Sequence, residues 1–392
     1  MLITADRVLV DSGVYLRDGA VLVEGASIAA VGPRDEVERR VPGGAPRLDF
    51  AGTVLPGLID AHVHLVFHGG PDPLGTLRAT DDTALFTAMR ERAGRLLDSG
   101  VTTARDLGDR GRLALRLARE TAAGATSGPR IVAAGVPATV PGGHCHFLGG
   151  EISGPGEARA LVHRNLAAGA EVIKVMATGG GLTKDGPRTW QSQFSAEELA
   201  VLVAEAHGAG VPVAAHAHGT EGIAAAVDAG VDTLEHCTWM TAGGFDVRPD
   251  VLARIVERGI AVCPTVSPHW RMLPQVFGEE RAAAMTANVR TMAEAGVRLI
   301  AGTDAGVQRT GFDGLAGALP FYAELGMSHA AVLDMATTHA AAALNIARET
   351  GRIAPGLRAD LLLVAGDPLA DLADLGRVHT VFAAGRRRDP AA

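Results

Sequence analysis

The most constraining feature of this 392-residue chain is a series of short apolar segments that alternate with amphipathic stretches between residues 55 and 345. Eight of these segments are typical of buried strands, namely residues 55–64, 101–106, 130–135, 171–177, 211–216, 231–236, 260–265 and 297–303. Helical periodicity followed closely by a glycine is clearest at residues 81–98, 196–209, 251–258 and 282–295. Eight strand–helix units predict an α/β protein built on a (β/α)8 TIM barrel.

Both ends of the chain have a different pattern. Short runs in which apolar and polar residues alternate, separated by turns, occur at residues 7–11, 20–24 and 27–31 and again after residue 356. Such runs are typical of antiparallel strands. The sequence therefore predicts one small β-sandwich domain composed of residues 1–54 and 347–392, and a catalytic barrel domain over residues 55–346.

Composition and charge limit the kinds of molecule that this protein is expected to bind. The formal net charge of −8 and the absence of a basic stripe argue against nucleic acid. Asp6 interrupts the N-terminal apolar stretch that a secretion signal needs, and no segment is long and apolar enough to span a bilayer. Cys145, Cys237 and Cys263 are too few and too scattered for a disulfide framework. We expect a cytoplasmic protein with a small-molecule substrate and no membrane partner.

Candidate metal ligands fall where a barrel keeps its chemistry, at the C-terminal ends of the predicted strands. His62 and His64 end the first strand, and side chains at i and i+2 of a strand share one face, so both imidazoles can reach one ion. Four further candidates lie in or at the end of their own apolar segments: Lys174, His216, His236 and Asp304. A lysine within a buried strand is costly unless it has a function. Asp60, Glu235 and Thr303 adjoin ligands and are candidate supports.

Together these motifs resemble the amidohydrolase superfamily over nearly the whole chain. Within it, residues 173–180, 215–219 and 233–236 are most similar to the branch that contains Xaa-Pro dipeptidases and imidazolonepropionase-like proteins. The resemblance implies that the six candidate ligands hold two divalent metal ions. It also implies that Lys174 is N-carboxylated and bridges them, because the mononuclear deaminases of the superfamily lack this lysine. A homo-oligomer is expected, since members often assemble through the barrel.

The chemistry implied by this resemblance is physically reasonable. Burial lowers the pKa of a lysine from its usual value of about 10.4 and so favours the neutral amine that reacts with carbon dioxide. We expect His62, His64 and Asp304 on one metal, and His216 and His236 on the other. A hydroxide that bridges the metals would attack the substrate, and Asp304 would carry the proton to the leaving amine. Zinc is expected, with manganese, cobalt or iron as alternatives.

Four further histidines follow predicted strands and are candidates for contact with substrate: His144, His146, His218 and His269. The alternative for His144 and His146 is a solvated loop. His218 also shares strand parity with His216 and is the alternative metal ligand of that strand. Residues 179–181 are a glycine run whose backbone amides are a possible anion site, and Arg105 and Asp106 are interpreted as an internal ion pair.

These observations predict a metal-dependent hydrolase that cleaves the C–N amide bond of a dipeptide or N-acyl amino acid. Arg188, Arg271 and Arg309 follow predicted strands and are candidates to bind the substrate carboxylate. The alternatives are hydrolysis of a cyclic amide, carbamate or lactone with the same residues, and deamination, which a single metal and an unmodified Lys174 would favour. A metal-binding scaffold without catalysis is the alternative from another class.

Overall fold

The computed structural model of the chain describes residues 1–41 and 43–390, and it is a mixed α/β structure as predicted. The strands of this part of the chain are β1 (Leu2–Asp11), β2 (Val14–Glu24), β3 (Ser27–Pro33), β4 (Arg47–Pro56), β5 (Leu58–Val63), β6 (Val101–Asp106), β7 (Arg130–Ala133), β8 (Ile173–Met176), β9 (Val213–Gly219), β10 (Thr233–Thr241), β11 (Gly244–Phe245), β12 (Ala261–Cys263), β13 (Leu361–Val364), β14 (Val378–Ala383) and β15 (Arg386–Arg388).

Helices follow most of the central strands, and several of them contact those strands. The α-helices of the described residues are α1 (Arg34–Glu38), α2 (Pro73–Ala79), α3 (Asp82–Asp98), α4 (Leu113–Ala122), α5 (Gly154–Ala167), α6 (Ala196–Gly208), α7 (Thr220–Ala229), α8 (Pro249–Glu257), α9 (Leu273–Phe277), α10 (Glu279–Glu294), α11 (Leu315–Ala318), α12 (Pro320–Glu324), α13 (His329–Met335) and α14 (Thr338–Ala343). The four helices predicted from periodicity are α3, α6, α8 and α10, and each begins and ends within three residues of its predicted bounds. Among the described residues, none of these helices combines the length and hydrophobicity that a membrane crossing requires.

Strands from both ends of the chain form one sheet. Its seven strands are ordered β15-β14-β13-β4-β1-β2-β3, and β4 pairs in parallel with β1 and antiparallel with β13. Ile3, Val8 and Val21 on the N-terminal strands and Leu361 and Phe382 on the C-terminal strands are buried in one hydrophobic cluster. The predicted joining of the two termini in one sheet is therefore observed.

The central strands are parallel. One sheet contains β5, β6 and β7, and another contains β8, β9, β10 and β12, with the short β11 added antiparallel to β10. Single parallel bridges connect these groups: Ala138 with Val175, Val262 with Leu299, and Val63 with Ala305. Because parallel neighbours end at the same edge, the loops after these strands meet on one side of the molecule.

Two predicted strands differ from the structure. The first, at residues 55–64, is divided at Gly57, because Leu55 and Pro56 belong to β4 and pair with β13, whereas β5 begins at Leu58. A Cβ atom at position 57 would overlap Thr102, so only glycine fits at the junction between the two strands. The last, at residues 297–303, forms no regular strand and contributes the single bridge at Leu299.

Candidate metal centre

The structure brings the six predicted metal ligands together. They are His62 in β5, His64 directly after it, Lys174 in β8, His216 in β9, His236 in β10 and Asp304 after the bridge at Leu299. The Asp304 segment is held beside β5 by a hydrogen bond from the Asp304 amide to the His62 carbonyl, 2.8 Å long. Five of the six side chains are buried, and that of Asp304 is 22% exposed.

The imidazole rings form a continuous cluster. The ring centroids of His62 and His64 lie 5.2 Å apart, those of His62 and His236 5.1 Å, and those of His216 and His236 4.7 Å. His218 stacks on His236 at 4.4 Å with an interplanar angle of 12°. His216, His218 and His236 each have a ring nitrogen that lies within 4.8 Å of those of the other two. The position of His218 is therefore compatible with a role as a metal ligand.

Each predicted histidine ligand has one ring nitrogen fixed by an outer acceptor, and that nitrogen must carry the proton. The His62 Nδ1 donates to Glu235 Oε2 at 2.8 Å, and the His64 Nδ1 donates to the Gly108 carbonyl at 3.0 Å. The His216 Nε2 donates to the Gly179 carbonyl at 3.0 Å. The other nitrogen of each ring is therefore an unprotonated acceptor, which is the state in which imidazole binds a metal.

His236 obtains the same arrangement through a hydroxyl group. Its Nδ1 lies 2.7 Å from Thr265 Oγ1, and that hydroxyl donates to the Pro264 carbonyl at 2.7 Å, so it accepts from the imidazole. Thr265 was not identified from the sequence. Its place at the end of the seventh predicted strand, where ligands occur on other strands, is the signal that indicates it.

The inner atoms of the cluster are arranged so that they could hold a cation. The His62 Nε2 and His64 Nε2 lie 3.3 Å apart, and Asp304 Oδ1 lies 3.5 Å from each of them. With both protons on the outer nitrogens, three electron-rich atoms face one another without a hydrogen between them. Lys174 Nζ and Asp304 Oδ1 are also buried and have no hydrogen-bond partner among the described residues. This donor set fits divalent metal ions.

Burial shifts the pKa values of the lysine and the histidines in the direction that metal binding needs, and that of Asp304 in the opposite direction. Desolvation lowers the pKa of Lys174 to about 8, although Glu235 opposes the shift. Desolvation lowers the pKa of His64 to about 4 and moves that of His216 in the same direction, so both are neutral at pH 7. The pKa of Asp304 is raised to about 7 by burial, while the charge of Lys174 opposes that rise.

Two buried carboxylates, Glu235 and Asp60, hold the ligand-bearing segments in place through hydrogen bonds. Glu235, which orients His62, also accepts from Arg105 Nη2 at 2.8 Å, so Arg105 pairs with Glu235 across the interior and not with Asp106. The predicted Arg105–Asp106 pair is therefore wrong: the Asp106 carboxylate instead accepts from the backbone amides of Leu65 and Gly108.

Asp60 accepts hydrogen bonds from the Thr303 backbone amide at 3.0 Å and the Thr303 hydroxyl at 2.6 Å. It thereby ties β5 to the segment that carries Asp304.

Strained backbone is concentrated here. Several non-glycine residues with left-handed φ lie at the cluster, including His236 at 68°, Asp304 at 59° and Thr265 at 54°. Such conformations cost about 1 to 3 kcal/mol each and persist where the surroundings impose them, often at functional sites.

The four predicted substrate-contacting histidines separate into three groups. His144 is buried beside His216, with ring centroids 4.5 Å apart, and His218 is part of the cluster. His269 is exposed and lines a cleft that also contains His218. The ring contact of His146 is with Phe147, and no hydrogen bond or ring contact in the described residues joins it to the cluster.

The glycine run after Lys174 shapes the site by close contact. A Cβ atom at position 180 would overlap the His144 ring, and one at position 179 would overlap the Pro187 and Arg188 carbonyls. The Gly179 amide donates to the Gln191 carbonyl at 3.0 Å, and the Gly179 carbonyl accepts from His216. The Gly179 amide is thus already paired, which argues against the predicted anion site at this position.

We expect Gly180→Ala to lower kcat/KM about tenfold or more, because the new methyl group displaces His144 beside His216 and small misplacements near reacting groups are costly. Gly181→Ala is the matched control, since a Cβ atom there meets nothing within 4 Å. Steady-state kinetics of both variants would check this, and equal activities would contradict a constraint at position 180.

One cleft adjoins the histidine cluster. It has a volume of about 630 Å³ and is lined by His218, His236, His269 and Arg309 among others. Of the three arginines considered as carboxylate anchors, Arg309 lines this cleft. Arg271 pairs with Glu324 at 2.7 Å, and neither it nor Arg188 is among the lining residues.

The family follows from a sequence comparison. The sequence model of the amidohydrolase family matches residues 53–388. The chain belongs to the amidohydrolase family. This amidohydrolase is 27% identical to the ochratoxinase of Aspergillus niger, over 95% of this chain and 82% of the ochratoxinase. It is 28% identical to the imidazolonepropionase of Salinispora arenicola, over 89% of this chain and 86% of that relative.

Solved structures agree with the family assignment. A Xaa-Pro dipeptidase with methionine bound in its active site is similar with a TM-score of 0.86 and 28% identity, covering 99% of both chains. The A. niger ochratoxinase is similar with a TM-score of 0.84 and 26% identity, covering 100% of this chain and 95% of the ochratoxinase. The predicted resemblance is confirmed, and this amidohydrolase is a hydrolase that acts on carbon–nitrogen bonds.

Proposed function

We propose that this amidohydrolase uses divalent metal ions to cleave the C–N amide bond of a dipeptide or N-acyl amino acid. The observation that carries the proposal is the convergence of His62 Nε2, His64 Nε2 and Asp304 Oδ1 within 3.5 Å of one another. The similarity to a Xaa-Pro dipeptidase and to ochratoxinase favours a small amide substrate.

The proposed scaffold is a (β/α)8 barrel over residues 55–346 and a β-sandwich domain composed of residues 1–54 and 347–392. The parallel central strands and the bridges Ala138–Val175, Val262–Leu299 and Val63–Ala305 support a closed barrel. The seven-stranded terminal sheet supports the composite domain.

We assign His62, His64 and Asp304 to one metal and His216 and His236 to the other, with carboxylated Lys174 between them. Lys174 fits this role because its amine is buried and without a hydrogen-bond partner, and burial favours its neutral form. Zinc is proposed, and manganese, cobalt or iron suit the same donors. Bound metals would supply Lewis acidity toward the scissile carbonyl and lower the pKa of water.

The chain's own residues perform the remaining steps. Asp304 accepts the proton that the attacking water loses and returns it to the leaving amine. Glu235 keeps His62 in the tautomer whose Nε2 is free. His144, His218 and His269 are proposed to contact the substrate, whereas the position of His146 gives that role no support.

Hydrolysis of a cyclic amide, carbamate or lactone is the second candidate, because the same residues serve it and the similarity to an imidazolonepropionase favours it. We further propose a cytoplasmic homo-oligomer. The three cysteines are buried and unpaired, as is usual in a reducing compartment.

The decisive experiment presents protein of measured metal content, purified with bicarbonate, with a library of dipeptides and N-acyl amino acids, read by mass spectrometry. Cleavage would establish the proposed activity. No cleavage by protein carrying two metals per chain would overturn it in favour of the second candidate, which imidazolone propionate, simple lactones and carbamates would then test.

A further inference from the structure

The cleft beside the histidine cluster has a wall of large apolar side chains. Trp270 and Phe321 pack edge to face with ring centroids 5.6 Å apart, and both line the cleft together with Val266 and Val289. Their side chains are largely buried, so this wall is part of the packed structure. A cleft of about 630 Å³ lies within the usual size of small-molecule sites, roughly 300 to 1,000 Å³.

Exposed apolar side chains continue this wall at the mouth of the cleft. Met272, Val276 and Phe277 are 50%, 59% and 45% exposed, and all three line the cleft. Within the described residues, the other large hydrophobic side chains with comparable exposure are Val14 and Val256, which lie elsewhere. A concentration of exposed apolar surface next to a site marks a surface that a ligand covers.

The cleft carries one ionised side chain. Among its described lining residues, Arg309 is the single member of the set lysine, arginine, aspartate and glutamate. Arg309 is exposed, and no ion pair joins it to another residue within the part of the chain that the structure describes. Its backbone lies in the left-handed region at φ 63°. The cleft is therefore complementary to a ligand with a large apolar group and one negative charge.

We propose that this cleft selects substrates that carry a bulky apolar or aromatic side chain and a single carboxylate. The apolar group lies against Trp270, Phe321 and the exposed segment at Met272, Val276 and Phe277, and Arg309 binds the carboxylate. This specificity rests on the proposed amide hydrolysis, because His218 and His236 join the cleft to the proposed metal site.

Binding of molecules that cannot be hydrolysed tests the cleft separately from the reaction. Calorimetry on the metal-loaded protein would compare 4-phenylbutyrate with butyrate, which lacks the aromatic ring, and with 4-phenylbutyramide, which lacks the charge. We expect 4-phenylbutyrate to bind about tenfold more tightly than either, since each probe loses one of the two interactions.

Two variants assign the interactions to residues. Val276→Asp should remove the advantage of 4-phenylbutyrate over butyrate, and Arg309→Gln should remove its advantage over the amide. Val14→Asp is the matched control, because Val14 is also exposed, at 52%, but lies outside the cleft. In kinetics, Val276→Asp should lower kcat/KM for N-acetylphenylalanine about tenfold while that for N-acetylalanine changes less than about threefold.

The outcomes separate this inference from the proposed function. Equal binding of the three probes, or binding unchanged in both variants, would overturn the selectivity even if amides are cleaved. Selective binding without cleavage of any amide would keep the cleft assignment and overturn the proposed reaction. A dimer that Val276→Asp dissociates would show that a second copy of the chain covers the segment, which would also overturn the inference.

Discussion

Lys174→Ala is expected to abolish amide hydrolysis, lowering kcat/KM by about 1,000-fold or more, and to deplete bound metal. The variant loses the proposed bridging ligand. The two proposed metal ions are then held by fewer protein ligands, among them His62, His64 and His216. Activity assays with metal content measured by mass spectrometry would check both effects. A fully active variant that retains two metals would overturn the proposed role of Lys174 as the bridging ligand.

The chain offers an unusually clean control, because Lys184 is its only other lysine. Lys184 is exposed, so Lys184→Ala should retain activity and metal. The same scarcity of lysine simplifies detection of the modification. Protein prepared with ¹³C-bicarbonate should give one carbamate carbon signal by nuclear magnetic resonance, and that signal should disappear in Lys174→Ala but persist in Lys184→Ala.

Asp304→Asn should lower kcat by between about 100-fold and 10,000-fold, the range expected when a general acid–base group is removed. The amide keeps the size of the side chain and one oxygen that can remain near His62 and His64, but it cannot accept and return the proton. We therefore expect turnover to fall much more than metal content. Rapid-quench measurement of a single turnover, with metal quantified in the same sample, would separate the two quantities.

Asp313→Asn is the matched control for that variant, because Asp313 is an exposed carboxylate on the segment that follows Asp304. It should leave kcat unchanged. Should Asp304→Asn lose its metal in proportion to its activity, Asp304 would be a ligand alone, and another group would have to carry the proton.

Local patterns explain why much of this molecule was predictable. Strand β6 matches its prediction at both ends, because its apolar residues are followed by charged residues and a glycine that interrupt the pattern. The candidate ligands were recognisable for a similar reason: a histidine or aspartate at the end of an apolar run is visible within a few residues. The structure then brought all six together, as the resemblance implied.

What the sequence did not reveal depends on contacts between distant segments. The partner of Arg105 is Glu235, on another strand, and no local signal distinguishes it from the adjacent Asp106. The carbonyls of Gly108 and Gly179, which decide the protonation of His64 and His216, are backbone atoms that no side-chain pattern can mark. The predicted eighth strand fails for a related reason.

The eighth predicted strand passes so close to β5 that a Cβ atom at Gly302 would lie 2.9 Å from the Cβ atom of His62, and Asp304 then turns into left-handed backbone. An apolar pattern predicts burial there, but it does not reveal this close approach or the left-handed turn at Asp304.

The pairing of β4 with β13 has a consequence for biosynthesis. Strands β1 to β4 leave the ribosome before β13, yet β13 is the partner of Leu55 and Pro56 and is translated after nearly all of the intervening chain. Until then the β4 edge presents unpaired backbone groups that invite wrong pairing or chaperone binding. Premature termination anywhere before Leu361 would leave this edge without its partner, so the pairing of β4 with β13 distinguishes chains that contain β13 from truncated ones.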